Sequence, residues 1–143
     1  MSNEFGKYVK FGLSVGITVV LVEAALKGIE NALGEGEAAK RKLLEHIQVV
    51  NCLDGAYVSA WFRINAKAGE NGVVQYLTDE HLRVIRKVSG EQVDREHYLL
   101  LALYEKKDGT VRLREYLIVN FVRMEKTLQT MLNENDGVII IEQ

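Results

Sequence analysis

The fold is decided by two apolar runs on either side of a short polar turn, HYLLLALYEKKDGTVRLREYLIV, residues His97–Val119. Both runs are rich in Leu, Val, Ile and Tyr, residues that suit a pleated, half-buried strand. The turn contains Lys107-Asp108-Gly109, and a glycine in its third position suits a bulged three-residue loop. The sequence therefore predicts an antiparallel hairpin with strands over His97–Glu105 and Val111–Val119.

The turn also predicts the register of this hairpin. If Lys106 pairs with Thr110, Leu103 lies opposite Leu113, and Glu115 falls on the same apolar face. A carboxylate on that face needs a partner, an edge position or a bulge that turns it outward. Glu115 is therefore a candidate binding residue.

A helix precedes the hairpin. Thr78 is a good N-cap residue, and an apolar stripe follows at helical spacing through Leu82, Ile85 and Val88. Gly90 suits the left-handed position that ends many helices. The pattern predicts a helix between Thr78 and Gly90.

Further upstream, alternating apolar and other residues over Ala56–Ala66 predict a strand. Asn71-Gly72 is a hairpin signal, and Val73–Leu77 reads as the returning strand. These two segments are thus expected to form a second hairpin.

Three side chains of the first of these strands, Tyr57, Trp61 and Arg63, fall on its less apolar face. Aromatic residues interleaved with arginine can lie under a covering helix, form a protein interface or stack the bases of single-stranded RNA. We take these three residues as candidate binding residues, with all three interpretations open.

At the amino-terminal end, apolar residues occupy every odd position of Val9–Leu21, which predicts a strand, with a helix as the alternative. Helical spacing begins at Val22, breaks at Gly34-Glu35-Gly36 and resumes over Glu37–Gln48. The uncharged run Phe11–Val22 is shorter than the ~20 residues that a membrane-spanning helix needs, so no membrane span is expected.

At the carboxyl-terminal end, Phe121, Met124, Leu128 and Met131 form a third helical stripe, and Val138–Ile141 is a short apolar strand. Hairpins interspersed with helices favour a single α+β domain over residues 1–143. We expect a mainly antiparallel sheet of five to six strands, with about three helices packed mostly on one face.

Composition limits the partners and the compartment. A formal net charge of -2 offers no cationic field for double-stranded nucleic acid. Cys52 is the one cysteine of the chain and cannot form an internal disulfide, so a reducing cytoplasm is expected.

Catalytic motifs are missing from the sequence. It contains no P-loop, no dinucleotide-binding glycine signature, no nucleophile elbow and no zinc-type pair of cysteines or histidines. The nearest approach to a nucleophile arrangement is His46, Cys52 and Asp54, for which the structural interpretation is a helix residue, a small apolar residue and a turn. We therefore expect no cofactor, no metal and no catalytic residue.

The sequence leads to a non-enzymatic protein-binding or assembly module of the adaptor, chaperone or immunity-protein kind. Self-association as a homodimer is expected, through the first strand or through Val138–Ile141, because neither carries a charge or proline that would protect an exposed edge. The alternatives are a small-molecule-binding domain or small enzyme with a pocket near His46, Cys52 and Glu115, and a sheet that binds single-stranded RNA.

Overall fold

The computed structural model describes residues 9–10, 36–90, 92–108 and 110–141, with backbone alone at 9, 10, 106, 107 and 110. These residues form six strands and four helices. The strands are β1 (Val9–Lys10), β2 (Ile47–Leu53), β3 (Asn71–Tyr76), β4 (Tyr98–Lys107), β5 (Thr110–Met124) and β6 (Val138–Ile141). The helices are α1 (Gly36–Glu45), α2 (Gly55–Asn65), α3 (Asp79–Ser89) and α4 (Lys126–Glu134).

The strands form one sheet in the order β1-β6-β3-β4-β5-β2, in which β1 contributes two residues. Neighbouring strands run antiparallel except β2 and β5, which are parallel. The predicted α+β class is confirmed. The sheet is mixed, however, because the parallel strand β2 was not predicted, and the described residues include four helices where about three were expected, because α2 was predicted as a strand.

Helices cover both faces of the sheet, so the prediction of helices mostly on one face is wrong. Successive residues of β4 show this directly, since Leu99 and Leu101 pack on the side of α2 and α4, while Leu100 and Ala102 pack on the side of α1 and α3. A strand that is buried on both faces has a continuous apolar sequence, as residues 98–104 of β4 do. We call these two sides the α2/α4 face and the α1/α3 face.

The segment predicted as a strand over Ala56–Ala66 is helix α2. Asp54 caps it, accepting a hydrogen bond from the Tyr57 backbone N–H at 2.8 Å, and Val58 and Phe62 form its buried stripe. Alternation of apolar residues was misleading here because Ile64, a member of the alternating set, is 78% exposed. Asp54-Gly55 is therefore a helix start, as aspartate at an N-cap favours.

The predicted hairpin at Asn71-Gly72 does not form, because these residues begin β3 and pair with β4 and β6. A Cβ on Gly72 would lie 2.5 Å from the Phe62 ring, so glycine permits the close approach of α2 to the sheet. The strand predicted over Val73–Leu77 is confirmed in β3.

Helix α3 is confirmed, with Thr78 as its N-cap and Gly90 in the left-handed conformation at its end. The Thr78 side chain accepts a hydrogen bond from the His81 N–H, and His81 Nδ1 accepts one from the Thr78 N–H at 3.1 Å. This reciprocal pair is a capping box with histidine in the place usually held by Glu or Gln.

The hairpin of β4 and β5 is confirmed, but its register differs by one residue at the turn. Lys107 pairs with Thr110, so the connection is two residues long. Further along, a bulge leaves Arg114 without a cross-strand partner, and Glu115 faces Leu103. A bulge, one of the three arrangements considered for Glu115, is thus present one residue before it.

Two helix boundaries differ from prediction. The helix expected over Glu37–Gln48 ends at Glu45, and β2 begins at Ile47. The third helix begins at Lys126, since Phe121 and Met124 belong to β5. The predicted strand Val9–Leu21 is described at residues 9 and 10 alone, and its remainder lies outside the described residues, as does the helical start at Val22.

Candidate functional site

The edge strand β2 is the first candidate site. It pairs on one side with β5, and in the described part of the chain no strand pairs with its other side. Its sequence, IQVVNCL, contains no charged residue, and four of its seven residues are exposed: Gln48, Val49, Asn51 and Cys52. Val49 is 67% exposed. An uncharged edge of this length lacks the usual protection against pairing with another chain.

The two strands that were expected to supply an interface do not form this edge. Strand β6 lies between β3 and β1, and its last three residues are buried. Strand β1 borders β6 through Val9 and Lys10. The candidate interface is therefore at the opposite side of the sheet from the one predicted.

His46 and Glu115 meet at the start of β2, as the predicted pocket required. His46 Nε2 lies 3.6 Å from Glu115 Oε1, and its Nδ1 lies 2.8 Å from the Lys42 carbonyl oxygen, to which it can donate. The imidazole stacks on the Tyr116 ring with centroids 4.3 Å apart. These contacts join the end of α1 to β5.

Cys52 lies elsewhere. It lies six positions along the strand from His46, a distance of about 20 Å at strand rise, so thiol and imidazole do not form a nucleophile pair. The predicted pocket near His46, Cys52 and Glu115 is thus divided between the two ends of β2. Cys52 is also exposed, contrary to its interpretation as a small buried residue.

Two buried tyrosines lie on the α1/α3 face beside this contact. Among the described residues, the hydroxyl groups of Tyr104 and Tyr116 have no hydrogen-bond partner. Burial, with a smaller contribution from the Glu115 charge, raises the pKa of Tyr116 to about 12, and burial alone raises the pKa of Tyr104. Both groups are therefore neutral at physiological pH and act as core residues rather than as bases.

Tyr57, Trp61 and Arg63 lie on helix α2 rather than on a strand. Tyr57 and Trp61 are one helical turn apart and pack partly against the α2/α4 core, so they belong to a helix that covers the sheet and do not lie on a strand beneath one. Arg63 is exposed. A sheet face that stacks nucleobases on these residues is therefore ruled out, while their part in binding a protein partner stays a prediction.

The structure also contains a buried ion pair that the sequence analysis missed. Arg114, the bulge residue of β5, bonds both carboxylate oxygens of Glu70 and donates to the Asn65 carbonyl oxygen at 2.5 Å. The Lys67 backbone N–H donates to Glu70 at 2.6 Å. Burial alone would raise the pKa of Glu70, but these bonds and the guanidinium charge outweigh burial and lower it. The pair fixes the end of α2 to β5.

A cleft of about 600 Å³ opens at the end of the sheet. It is lined by Tyr76 at the end of β3, by residues 95–97 before β4, by residues 121–124 at the end of β5 and by Gln129 of α4. These segments are far apart in the sequence and carry no common motif. The cleft therefore could not be predicted from the sequence.

Within the described ranges, no three His, Cys, Asp or Glu side chains come together as a metal site. In the same ranges, no helix combines the length and apolar character needed to cross a membrane.

No protein-family model, no curated protein and no solved structure matches the chain. Its function must be inferred from its own residues.

Proposed function

We propose that the protein is a non-enzymatic assembly module that self-associates by pairing the β2 edge strands of two copies. The observation that carries this proposal is the exposed, uncharged edge of β2. Unpaired N–H and C=O groups along such an edge can bond another strand, and soluble proteins commonly prevent this with lysine, proline, a bulge or a short strand. Strand β2 has seven residues and neither lysine nor proline.

A second copy of the chain fits this edge because the strand can pair with itself. Antiparallel pairing over the full length of β2 centres the two-fold axis on Val50. Val49 then faces the partner's Asn51, and Gln48 faces the partner's Cys52. No like charges oppose one another in this arrangement, since the strand carries none. The two sheets would join into one continuous sheet across the dimer.

This interface replaces the two strands named from the sequence. Because β6 is enclosed by β3 and β1, its backbone groups are already engaged within the sheet. The proposed cytoplasmic location accords with the exposed Cys52 thiol, which would be open to oxidation in an oxidising compartment.

The oligomeric state tests the proposal. Sedimentation equilibrium of the wild-type chain should give a concentration-dependent species of twice the 16.2 kDa chain mass. Val49→Lys should shift this equilibrium to the monomer, because two lysines near the axis repel and keep the edges apart.

Ile64→Lys is the matched control, since it places the same charge on an exposed apolar residue of α2, away from the edge. It should leave the association unchanged. A wild-type chain that stays monomeric at all concentrations, or equal loss of association in both variants, would overturn the proposal.

The two alternatives have less support. A catalytic pocket around His46 and Glu115 loses Cys52, which lies at the other end of β2. The hypothesis of an RNA-binding sheet is weakened, because Tyr57 and Trp61 lie on a helix and are half-buried.

A further inference from the structure

The cleft at the end of the sheet combines cationic and apolar groups in one concave site. Its volume of about 600 Å³ lies within the range of ~300–1,000 Å³ that small-molecule sites usually have. Four separate segments of one chain build it, so it is complete without a second copy. Neither the β2 edge nor the contact between His46 and Glu115 belongs to it.

Two arginines, Arg95 and Arg123, lie on its rim. Arg95 is held in place by an ion pair with Asp79, at the start of α3. Arg123, at the end of β5, is exposed and forms no ion pair with another described residue. Among the described residues that line the cleft, Glu96 is the one carboxylate, and Arg95 already pairs with Asp79, so Arg123 is the arginine that can bind an anion. Arginine is the side chain best shaped to bind a carboxylate or phosphate through two parallel hydrogen bonds.

The wall beside Arg123 is apolar. Tyr76, Phe121 and Met124 lie on the α2/α4 side of the sheet, where the cleft opens beside helix α4. Tyr76 and Phe121 add aromatic rings, and the His97 ring lies with its centroid 6.4 Å from that of Phe121. An inorganic anion would leave this apolar surface in water, whereas a ligand with an apolar ring would cover it.

We propose that this cleft binds a small organic anion, with its acidic group at Arg123 and a flat apolar group against Tyr76, Phe121 and Met124. The ligand class is an aryl or similarly apolar carboxylate or phosphate. This site is independent of self-association, because its residues all come from one chain.

Phenyl phosphate is a suitable probe, because it carries both features. In a ¹⁵N-resolved NMR titration of the full chain, it should shift the amides of residues 95–97 and 121–124 and saturate at millimolar concentration or below. Inorganic phosphate, without the ring, and benzyl alcohol, without the charge, should each bind more weakly than phenyl phosphate.

Arg123→Gln should raise the dissociation constant for phenyl phosphate about tenfold, the usual consequence of losing one charged hydrogen bond. Arg112→Gln is the matched control, since it removes the same charge from an exposed residue near the opposite end of β5. Thermal unfolding of both variants should match the wild type, because both side chains are exposed.

Three results would overturn the proposal. One is the lack of any saturable shift with phenyl phosphate. Another is equal weakening by Arg123→Gln and Arg112→Gln, which would indicate general attraction by surface charge. The third is equal binding of inorganic phosphate and phenyl phosphate, which would leave the apolar wall without a role.

Discussion

Strands β6 and β2 are both uncharged, but β6 lies inside the sheet and β2 lies at its edge. Strand β6, VIII, is apolar throughout and lies between β3 and β1, with Ile139 on the α2/α4 face and Ile140 on the α1/α3 face. Strand β2, IQVVNCL, mixes apolar and polar residues and lies at the edge. Continuous hydrophobicity therefore marks the enclosed strand, and the mixed strand has an outer side with which no described strand pairs.

The comparison also explains why the apolar sequence of β6 did not indicate an interface. A strand that is apolar on both sides must be covered on both faces, and helices within the chain already cover β6. A strand that exposes Gln48, Val49 and Asn51 is stable in water yet keeps its backbone groups available. Such a strand can serve a reversible association.

The largest expected effect sharpens this comparison at the level of stability. Ile139→Lys places an unpaired charge at a fully buried position of β6, and we expect it to lower the free energy of unfolding by about 4 kcal/mol or more. Val49→Lys, on the exposed side of β2, should change it by no more than about 0.5 kcal/mol. Urea denaturation at a protein concentration where both chains are monomeric measures both values. Similar losses in the two variants would break the distinction between enclosed and edge strand.

The next effect concerns the stability contributed by Arg114 of β5, the strand that pairs with β2. Arg114→Met leaves Glu70 buried without its cationic partner, and we expect a loss of about 3 kcal/mol at neutral pH. Because the pKa of Glu70 is lowered in the folded chain, the pair stabilises fully above the ordinary carboxyl pKa, and this stability is lost as pH falls through the lowered value. The gap between wild type and variant should therefore narrow in acid. A gap that stays constant from neutral pH to acid would show that the charge of Glu70 has no part in it.

A smaller effect concerns the pH dependence of stability, which depends on His81, a buried residue of the α1/α3 face. Burial lowers the pKa of His81 to about 4, and the Glu80 charge opposes this in part. As pH falls through 6.5, the unfolded chain therefore binds a proton at this residue and the folded chain does not. Stability should fall by about 2 kcal/mol between about pH 7 and pH 5 for this reason.

His81→Gln keeps a side chain that can complete the capping box and should remove most of this pH dependence. Denaturation curves of the two chains at both pH values provide the measurement. If the variant loses as much stability in acid as the wild type, another group is responsible.

Local signals allowed some of these elements to be predicted. Thr78 and Gly90 mark the ends of α3 by their own backbone chemistry, and the two apolar runs around Asp108 determine the β4–β5 hairpin. Elements that depend on tertiary contacts were misassigned. The alternation over Ala56–Ala66 fits a strand, but Asp54 as N-cap and the packing of Phe62 over Gly72 select the helix.

The candidate site was less accessible to prediction than the fold. Residues Val49-Val50 are a β-branched strand signal, yet they follow a helical stripe directly, and the parallel pairing of β2 with β5 joins segments about 70 residues apart in sequence. Glu115 was singled out as a carboxylate that needs a partner, and its Oε1 lies 3.6 Å from His46 Nε2. Which strand forms the edge follows from the order of the whole sheet, and no local pattern reports that order.

A cross-link across the proposed two-fold axis examines the β2 interface at the level of residue register. Pairing centred on Val50 places Gln48 opposite the partner's Cys52, and directly opposed strand residues have Cα atoms about 4.5–5.5 Å apart, within the range of a disulfide. Gln48→Cys should therefore give a covalent dimer on mild oxidation, seen on a non-reducing gel, whereas Asn51→Cys should not, because its opposite residue is the partner's Val49. A monomer in both variants, or equal dimer formation in both, would contradict self-association through β2 in this register.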